Sequence, residues 1–392
     1  MTVLLFCAVS CSEVFYPNVS SGNNIMVVDG LITNEAGPFT VKLYNAVNYS
    51  SASSSTDNHV TGAVLSIIDN NGATWKLTET PPGNYTTPTG FATTIGNSYK
   101  LRITTKDGNN YESTFQKLLP PQTYDSIRST YTTENYLDAN NNLQSQNGAD
   151  VRMDLFKSSS STKYNCRFST NLTAQYLFAE NVLDCGCDVS QYICYDSICK
   201  VKKCSVYQVF GWTSGYSIGD AIDITDENTL SGSNSILNHK IGFIPFNKSD
   251  YQLNMNTTSL VDGTLSLYFY LKIAQYTLND DAYTFYKAAK QQLSVTGKIF
   301  DPITSQLNGN ITCVNNPSQK SLGMFEVSSV LNSAFFIYRD GVNTATIHKV
   351  PLINLPSDNQ FRYKSWQCKG APPLSITSEY VIIPYPSWWW HQ

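Results

Sequence analysis

Short runs of alternating apolar and polar residues begin at Ile25 and recur along the first third of the chain. Their apolar positions are Phe39, Val41 and Leu43, then Ala63, Leu65 and Ile67, and then Tyr99, Leu101 and Ile103. Because successive side chains of a strand point to opposite faces, this spacing predicts strands with one buried face. The runs are separated by turn-forming segments at Asn70-Asn71-Gly72, Pro81-Pro82-Gly83-Asn84 and Asp107-Gly108-Asn109. About seven short strands in about 100 residues predict an immunoglobulin-like β-sandwich over residues 25–120, which Pro120-Pro121 ends.

The rest of the chain, residues 121–392, is predicted to form a larger β-rich domain with one packed helix. Its clearest strand runs from Leu265 to Ile273, and its helix runs from about Asp280 to Leu293. Asn279 caps the predicted helix, and acidic residues occupy its positively charged first turn. Its apolar stripe consists of Ala282, Phe285, Ala289 and Leu293. Residues 133–150 are predicted as a polar loop, and further strands are predicted at Val151 to Phe156, Met324 to Val330 and Ala334 to Arg339.

The composition predicts a folded chain that does not bind nucleic acid. Hydrophobic residues make up 41% of the 392 residues, which is enough for packed cores. Charged residues make up only 14%, against roughly 25% in an average soluble domain. The net charge is −4 and the basic residues do not cluster. Since nucleic-acid binding depends on Lys and Arg that displace counterions from phosphates, nucleic acid is excluded as a partner.

The N-terminus is typical of an export signal. An apolar run from Val3 to Val9 is followed by the small residue Ser10 and then by Cys11. The run is too short to span a bilayer, which takes about 20 apolar residues. A small residue at the cleavage position followed by cysteine resembles a bacterial lipobox, which predicts lipidation of Cys11. Residues 1–24 are therefore predicted as a signal remnant and tether that attach the protein to a lipid bilayer.

The remaining cysteines are predicted to form disulfides in an oxidising compartment. Eight cysteines follow Cys7 and Cys11 in the sequence, and five of these eight lie in an insert at 185–204. The eight are Cys166, Cys185, Cys187, Cys194, Cys199, Cys204, Cys313 and Cys368. Eight cysteines allow 105 connectivities, so spacing leaves the full pairing open. A bridge between Cys185 and Cys187 is disfavoured by strain. We expect Cys313 to pair with Cys368, Cys166 to pair into the insert, and the other four cysteines to close two bridges.

Several separated segments resemble one known family. They are VVDGLITNEAGPFTVKL at 27–43, TGAVLSIIDNNG at 61–72, LTETPPGNY at 77–85, YKLRITTKDGNNYES at 99–113, the stretch AQYTLNDD to NITCV at 274–314, and LGMFEVSSV at 322–330. Together they resemble the Bacteroidota surface lipoproteins described as domain of unknown function 4249. That family usually has an aromatic pair before an arginine, where this chain has Tyr164-Asn165-Cys166-Arg167. The resemblance implies an outer-membrane lipoprotein on the extracellular face that is a partner of a TonB-dependent receptor, and it assigns no catalytic residue.

Two groups of oxygen-bearing side chains are candidates for a Ca²⁺ site. One group consists of Asp220, Asp223, Asp226 and Glu227, and the other of Asp138, Asn140 and Asn142. Leu143 stands where a calcium-binding loop of the EF-hand type requires glycine. Solvated turns are the favoured explanation of both groups, so no metal site and no cofactor is predicted.

The sequence contains no recognisable catalytic motif. The histidines His59, His239, His348 and His391 are scattered, and Gly211-Trp212-Thr213-Ser214-Gly215 has threonine where a hydrolase elbow has its nucleophile. We therefore predict a protein that acts by binding and is not an enzyme. The C-terminal Trp388, Trp389 and Trp390 are candidate binding residues, with a buried last strand as the alternative. The alternative functions are a secreted hydrolase acting on glycans or peptides, and an adhesin without a role in transport.

Overall fold

The computed structural model describes residues 25–46, 58–138, 140–156, 165–184, 192–195, 198–201, 205–225, 230–231, 235–246, 268–294, 307, 309–338, 345–350, 352 and 362–366. Over these residues the protein is mainly β, as predicted. In this part of the chain no helix combines the length and the apolar character that crossing a bilayer requires.

The first strands, in chain order, are β1 Met26–Ile32, β2 Thr40–Asn45, β3 Val64–Asp69, β4 Thr74–Lys76, β5 Thr78–Glu79, β6 Asn84–Thr86, β7 Ser98–Thr104, β8 Asn110–Ser113 and β9 Gln116–Lys117. The next are β10 Tyr124–Leu137, β11 Leu143–Phe156, β12 Cys166–Asp184, β13 Tyr192–Tyr195, β14 Ile198–Val201, β15 Ser205–Tyr216, β16 Asp223–Ile224, β17 Leu230–Ser231, β18 Ser235–Pro245 and β19 Tyr268–Thr277. The helix α1 Asp280–Ser294 follows, and the last strands are β20 Ile311–Cys313, β21 Ser321–Val327, β22 Ser329–Tyr338, β23 Thr346–Val350 and β24 Arg362–Trp366.

Two sheets with a common core form the first sandwich. One has the order β21-β1-β2-β6-β5, and the other has the order β20-β8-β7-β3-β4, with β9 also paired to β7. The predicted alternation is confirmed, because Val41, Leu43, Leu65, Ile67 and their counterparts on β7 are buried in this core. The predicted turns carry glycines at positive φ, namely Gly72, Gly83 and Gly108. These φ values favour glycine because it has no Cβ. The finer assignment of an immunoglobulin-like topology stays a prediction.

The first sandwich also contains two strands from far along the chain. β21 pairs in parallel with β1, with Val28 opposite Gly323, and β20 pairs with β8. Phe325 and Val327 of β21 lie in the first core. The predicted span of 25–120 therefore omits two strands of this sandwich, and the strand predicted from Met324 to Val330 is divided between two sheets. A period-two pattern shows that a strand has a buried face, but it does not show which sheet the strand joins.

The second sandwich encloses a separate core between two longer sheets. Their orders are β10-β11-β18-β17 and β23-β22-β19-β12-β15-β24, with β16 also paired to β12. Phe269, Leu271 and Ile273 of β19 are buried in this core, which confirms the described half of the strand predicted from Leu265. The polar loop predicted at 133–150 is wrong, because β10 and β11 continue through it as a paired ribbon. The described residues from 133 to 147 are exposed or half-exposed on both faces of the ribbon, so they lack the apolar and polar alternation by which a sequence pattern reveals a strand.

Helix α1 packs between the two sandwiches by its N-terminal half. The Asn279 side chain accepts a hydrogen bond from the backbone N–H of Ala282 at 2.9 Å, which confirms the predicted cap. Ala282 and Tyr283 are buried against Met324 of the first sandwich and Ile224 of the second. Leu293 is 64% exposed, so the predicted apolar stripe is wrong at its C-terminal end. The buried face ends early because the helix extends past the surface against which its first turns pack.

The strand directions give the molecule two distinguishable ends. β1 begins at Met26 opposite Asn45, and at its other end the Ile32 carbonyl accepts a hydrogen bond from Ser328, where the chain enters the second sandwich. The seven residues of β1 span about 20 Å. We call the region where the two sandwiches meet the junction. Residues 12–24 therefore join the first sandwich at the end opposite the junction. Cys166 and Thr277 are paired near the junction, whereas β12 continues to Asp184 at the far end.

Replacement of Phe325 tests whether β21 completes the first core. Phe325→Ala is expected to lower the free energy of unfolding by about 3–5 kcal/mol, because it leaves a cavity among fully buried side chains. Amide hydrogen exchange should accelerate in β1, β2 and β7, although these strands lie far from residue 325 in sequence. The control Val314→Ala changes an exposed side chain and is expected to shift stability by less than about 0.5 kcal/mol. Loss of protection confined to β10, β11 and β18 would contradict the assignment of β21.

Candidate functional site

The described cysteines lie in different parts of the fold. Cys313 is a buried free thiol on β20, and its Sγ donates to Asn315 Oδ1 at 3.4 Å. Its predicted partner Cys368 lies outside the described residues, so that disulfide stays a prediction without support from the structure. Cys166 is buried on β12, where Gln275 Nε2 donates to its Sγ at 3.6 Å. β12 has 19 residues, so about 60 Å of strand separates Cys166 from the insert. Most of the insert lies outside the described residues, so the pairing of Cys166 with it stays a prediction.

The backbone register narrows the pairing inside the cysteine insert. β13 and β14 form an antiparallel hairpin in which Cys194 lies directly opposite Cys199. Opposed residues in such a pair have Cα atoms about 4.5–5.5 Å apart, within the range of roughly 4.4–6.8 Å that a disulfide spans. The register is therefore compatible with a bridge that spacing alone could not single out. The predicted sites Cys11, Cys185, Cys187, Cys204, Trp388, Trp389 and Trp390 lie outside the described residues.

The Asp138 loop forms the turn between β10 and β11. Asp138 Oδ1 accepts hydrogen bonds from the backbone N–H groups of Asn140 and Asn142, both at 2.9 Å. Asp138 Oδ2 accepts from Asn142 Nδ2 at 3.4 Å and from Gln144 Nε2 at 3.2 Å. These donors lower the pKa of Asp138, with the Asn142 backbone N–H as the largest contribution. The carboxylate thus orders the turn through N–H donors, which is the arrangement of a solvated turn.

The described members of the second acidic group, Asp220 and Asp223, differ in burial and do not form one site. Asp223 Oδ1 lies 3.1 Å from His239 Nε2, and the Phe168 ring covers the imidazole with centroids 4.8 Å apart. Asp220 is largely exposed and forms an ion pair with Lys290 at 3.3 Å. Asp226 and Glu227 lie outside the described residues. No group of three or more His, Cys, Asp or Glu side chains in the described ranges could hold a metal ion.

Asp223 is a buried carboxyl group with incomplete hydrogen bonding. Its Oδ2 atom is buried and has no hydrogen-bond partner. Burial raises the pKa of Asp223, although the His239 side chain opposes the shift. The arrangement joins β16 to β18 and is a proton-sensitive contact inside the second sandwich. The other described histidines belong to different sheets, since His59 bridges to Tyr44 and His348 lies on β23.

A buried ion pair that the sequence analysis missed joins the two sandwiches. Arg167 Nη2 on β12 lies 3.2 Å from both carboxylate oxygens of Glu326 on β21. Tyr286 Oη on α1 donates to Glu326 Oε2 at 2.6 Å. The guanidinium lies over the rings of Tyr276 and Tyr286, at 4.1 and 4.8 Å from their centroids. We call these four residues the junction cluster. The only signal in the sequence was the departure from the family pattern immediately before Arg167.

Burial dominates the electrostatics of the junction cluster. The side chain of Glu326 is 3% exposed and that of Arg167 is 16% exposed. Burial, and then the charge of Glu326, raise the pKa of Tyr286 far above its ordinary value, so the phenol remains a donor. Arg167 Nε is buried without a hydrogen-bond partner. The cluster therefore neutralises one buried charge with another and joins the two sandwiches.

Further polar contacts hold the junction around this cluster. The Val330 backbone N–H donates to Asn34 Oδ1 at 2.6 Å, and Asn332 Nδ2 donates to Glu35 Oε1 at 2.6 Å. Gln116 Nε2 donates to Asp281 at the start of α1 at 2.9 Å. Strand, linker and helix are therefore all bonded across the boundary between the two sandwiches.

Among the residues that the structure describes, the two most exposed apolar side chains of the second sandwich lie on the turn side of the β10–β11 ribbon. Leu137 and Leu143 are 62% and 71% exposed, and the neighbouring Tyr136 is 44% exposed; Leu237 on β18 is also exposed, at 54%. Leu137 lies directly opposite Leu143 in the register. We call Tyr136, Leu137 and Leu143, with the turn residues 138 and 140–142, the ribbon tip. Since buried clusters already account for Arg167 and Asp223, the far end of the second sandwich is the candidate surface for binding.

Removal of the charge at Glu326 tests the junction cluster. Glu326→Gln leaves the Arg167 cation buried and uncompensated, so we expect a loss of about 3–5 kcal/mol in the free energy of unfolding. Urea denaturation of the full chain would measure the loss. Glu35→Gln serves as the control at the same boundary, because Glu35 is exposed, and its effect should be below about 1 kcal/mol. Equal midpoints for Glu326→Gln and wild type would overturn the role assigned to the pair.

The raised pKa of Asp223 predicts a pH dependence. The folded protein binds this proton more tightly than the unfolded chain, so the contribution of Asp223 to stability is greatest below its ordinary pKa of about 4. That contribution declines as the pH rises through the raised pKa of the folded state. Asp223→Asn cannot ionise, so wild type should lose stability relative to this variant between pH 4 and neutral pH. Urea midpoints across this range measure the difference, and Asp220→Asn is the exposed control. A constant difference over the range would contradict the prediction.

One of three comparisons with known proteins supports the family part of the resemblance found in the sequence. The comparison with curated proteins finds no match, and neither does the comparison with solved structures. A family model described as domain of unknown function DUF4249 matches residues 12–333. That range includes β1 to β21 and the first half of β22, and thus the strands of both sandwiches that meet at the junction. Since the match covers well over half of the chain, the protein belongs to the DUF4249 family.

Proposed function

We propose that the protein is a lipoprotein on the extracellular face of the outer membrane of a member of the Bacteroidota, where it acts by binding as an accessory of a TonB-dependent receptor. The observation that carries this proposal is that the molecule has two distinguishable ends, one where residues 12–24 join the first sandwich and one at the far end of the second sandwich. Residues 12–24 lead into the end of the first sandwich opposite the junction, and the contacts at the junction direct the second sandwich away from that end. A lipid on Cys11 would then hold the second sandwich outward from the membrane.

The reach of the proposed tether agrees with this arrangement. Thirteen residues, from 12 to 24, span at most about 45 Å when fully extended. The first sandwich adds a further spacer of about 20 Å along β1. An accessory attached in this way can contact a neighbouring protein in the same membrane without a membrane-spanning segment of its own.

The partner class is taken from the resemblance of the chain to surface lipoproteins associated with TonB-dependent receptors. The chain itself supports a binding role, because its accessible features are a polar, weakly charged surface and an exposed apolar ribbon tip. Both are typical of contact with proteins, whereas a nucleic-acid partner would require clustered basic residues.

Lipidation is tested first, with a matched pair of cysteine variants. Cys11→Ser is expected to abolish acylation and release the protein from membranes, because the acyl chains provide the attachment. Cys7→Ser should retain both properties, since residue 7 lies before the predicted cleavage position. Metabolic labelling with a fatty acid, mass spectrometry of the mature N-terminus and membrane fractionation provide the measurements. An unacylated mature wild-type protein would refute the anchoring hypothesis.

The partner is tested on the same full-length, lipidated protein. Affinity purification of a tagged copy from native membranes in mild detergent should recover an outer-membrane β-barrel receptor, identified by mass spectrometry. Recovery of the lipoprotein alone would argue against the accessory role. In that case, hydrolysis of glycans or peptides by the purified protein would indicate a hydrolase, and reduced attachment of a deletion strain would indicate an adhesin.

A further inference from the structure

The β10–β11 ribbon extends beyond the sheet that supports its base. β18 pairs with β11 up to Gly148, and just beyond it the Phe246 backbone N–H donates to the Asn147 carbonyl at 2.9 Å. From the Glu134–Gln146 pair to the Leu137–Leu143 pair, the described backbone is paired only within the ribbon, and the Glu134 side chain bonds Lys240 of β18. Four further residues per strand correspond to a projection of about 14 Å. From Thr133 to Asn147 each described residue is exposed or half-exposed.

The base of the ribbon is firmly packed. The Tyr131 ring lies 6.0 Å from the buried ring of Phe246, which in turn stacks on Phe269 at 5.6 Å. Lys240 Nζ bonds Glu134 Oε1 at 2.7 Å, and Arg128 is paired with Asp154. The projecting segment is therefore oriented by its base.

The ribbon points away from the proposed membrane attachment. At its start, the Gln122 backbone N–H donates to Thr277 Oγ1 at the junction at 2.8 Å. Halfway along, Ser129 Oγ donates to the Ala345 carbonyl, next to the end of β22 that is farthest from the junction. The strand then continues to Leu137. The ribbon tip is consequently located beyond the end of the second sandwich that faces away from residues 12–24.

The turn is ordered before any partner binds. Asp138 accepts the four hydrogen bonds of the turn described above, and Asn141 adopts a left-handed conformation with φ of 61°. A preformed turn that presents exposed leucines loses little conformational entropy on binding. The leucines also form a cross-strand pair, so one face of the ribbon tip presents both to solvent.

The charges of the ribbon select between partner classes. Between Arg128 and Arg152 the chain has no Lys or Arg, and it has three acidic residues. Glu134 is paired with Lys240 and Asp150 with Arg152, so Asp138 at the turn carries the charge that no described cation neutralises. An anionic lipid surface would repel this carboxylate and attract basic residues instead. A protein pocket with an apolar floor, and with amide or basic donors at its rim, complements both the leucines and Asp138.

We propose that the ribbon tip inserts into an apolar pocket on the extracellular side of a protein partner, with Leu137 and Leu143 as its anchors. This inference rests on the proposed function, because the partner is the receptor that co-purifies with the lipidated protein. It adds to that function the surface that makes the contact.

The test compares variants that keep the strands intact. Leu137→Thr with Leu143→Thr removes both anchors, and threonine retains a high strand propensity. Co-purification of the receptor from native membranes is expected to fall at least tenfold. Leu293→Thr, an equally exposed leucine on α1, should leave the yield unchanged. Thermal unfolding of each variant checks that the fold is retained.

A photocrosslinking residue at position 137 identifies what the ribbon tip touches, with position 293 as the control. Crosslinks from 137 to an outer-membrane receptor are the expected result; crosslinks to lipid, or to nothing, would refute the inference. If wild type recovers the receptor and the double variant does so equally well, only the docking role of the ribbon tip fails. If wild type recovers no receptor at all, the proposed function fails and the inference fails with it.

Discussion

The arrangement of the whole molecule depends on the buried pair of Arg167 and Glu326. β21 is a strand of the first sandwich, and its alternation directs Phe325 and Val327 into the first core while Met324 and Glu326 face the second sandwich and α1. A slip of one residue would turn the carboxylate into an apolar core, where it would have no cation. The pair therefore fixes the register of β21 and the orientation of the two sandwiches together.

Net stability alone does not explain why this position carries charges. A buried ion pair gains little over well-packed apolar residues, because desolvation offsets most of its attraction, yet removal of one partner is costly. The pair consequently penalises alternative arrangements more than it stabilises the native one. Tyr286 extends the same constraint to α1, since its hydroxyl bonds the carboxylate and its ring covers the guanidinium. Two sheets and one helix are thereby fixed by one carboxylate.

The sequence predicts those features that depend on neighbours along the chain. Alternation located the strands around Val41, Leu65 and Leu101, and Asn279 marked the start of α1, because strand faces and helix caps are local. The parallel pairing of β1 with β21 joins residues about 295 positions apart, and no local pattern encodes it. The ion pair was missed for the same reason, and the ribbon because a strand exposed on both faces lacks alternation. Cys11 and Trp388 to Trp390 stay predictions, since they lie outside the described residues.

The junction and the ribbon tip differ in how much a substitution costs in folding. Contacts that join the two sandwiches gather where β21, β12 and α1 meet, whereas the described side chains of the ribbon tip are exposed or half-exposed. Substitutions at the ribbon tip alter side chains that belong to neither core, so their cost in folding is small. The ribbon tip can therefore change in sequence while the junction preserves the direction in which it is presented.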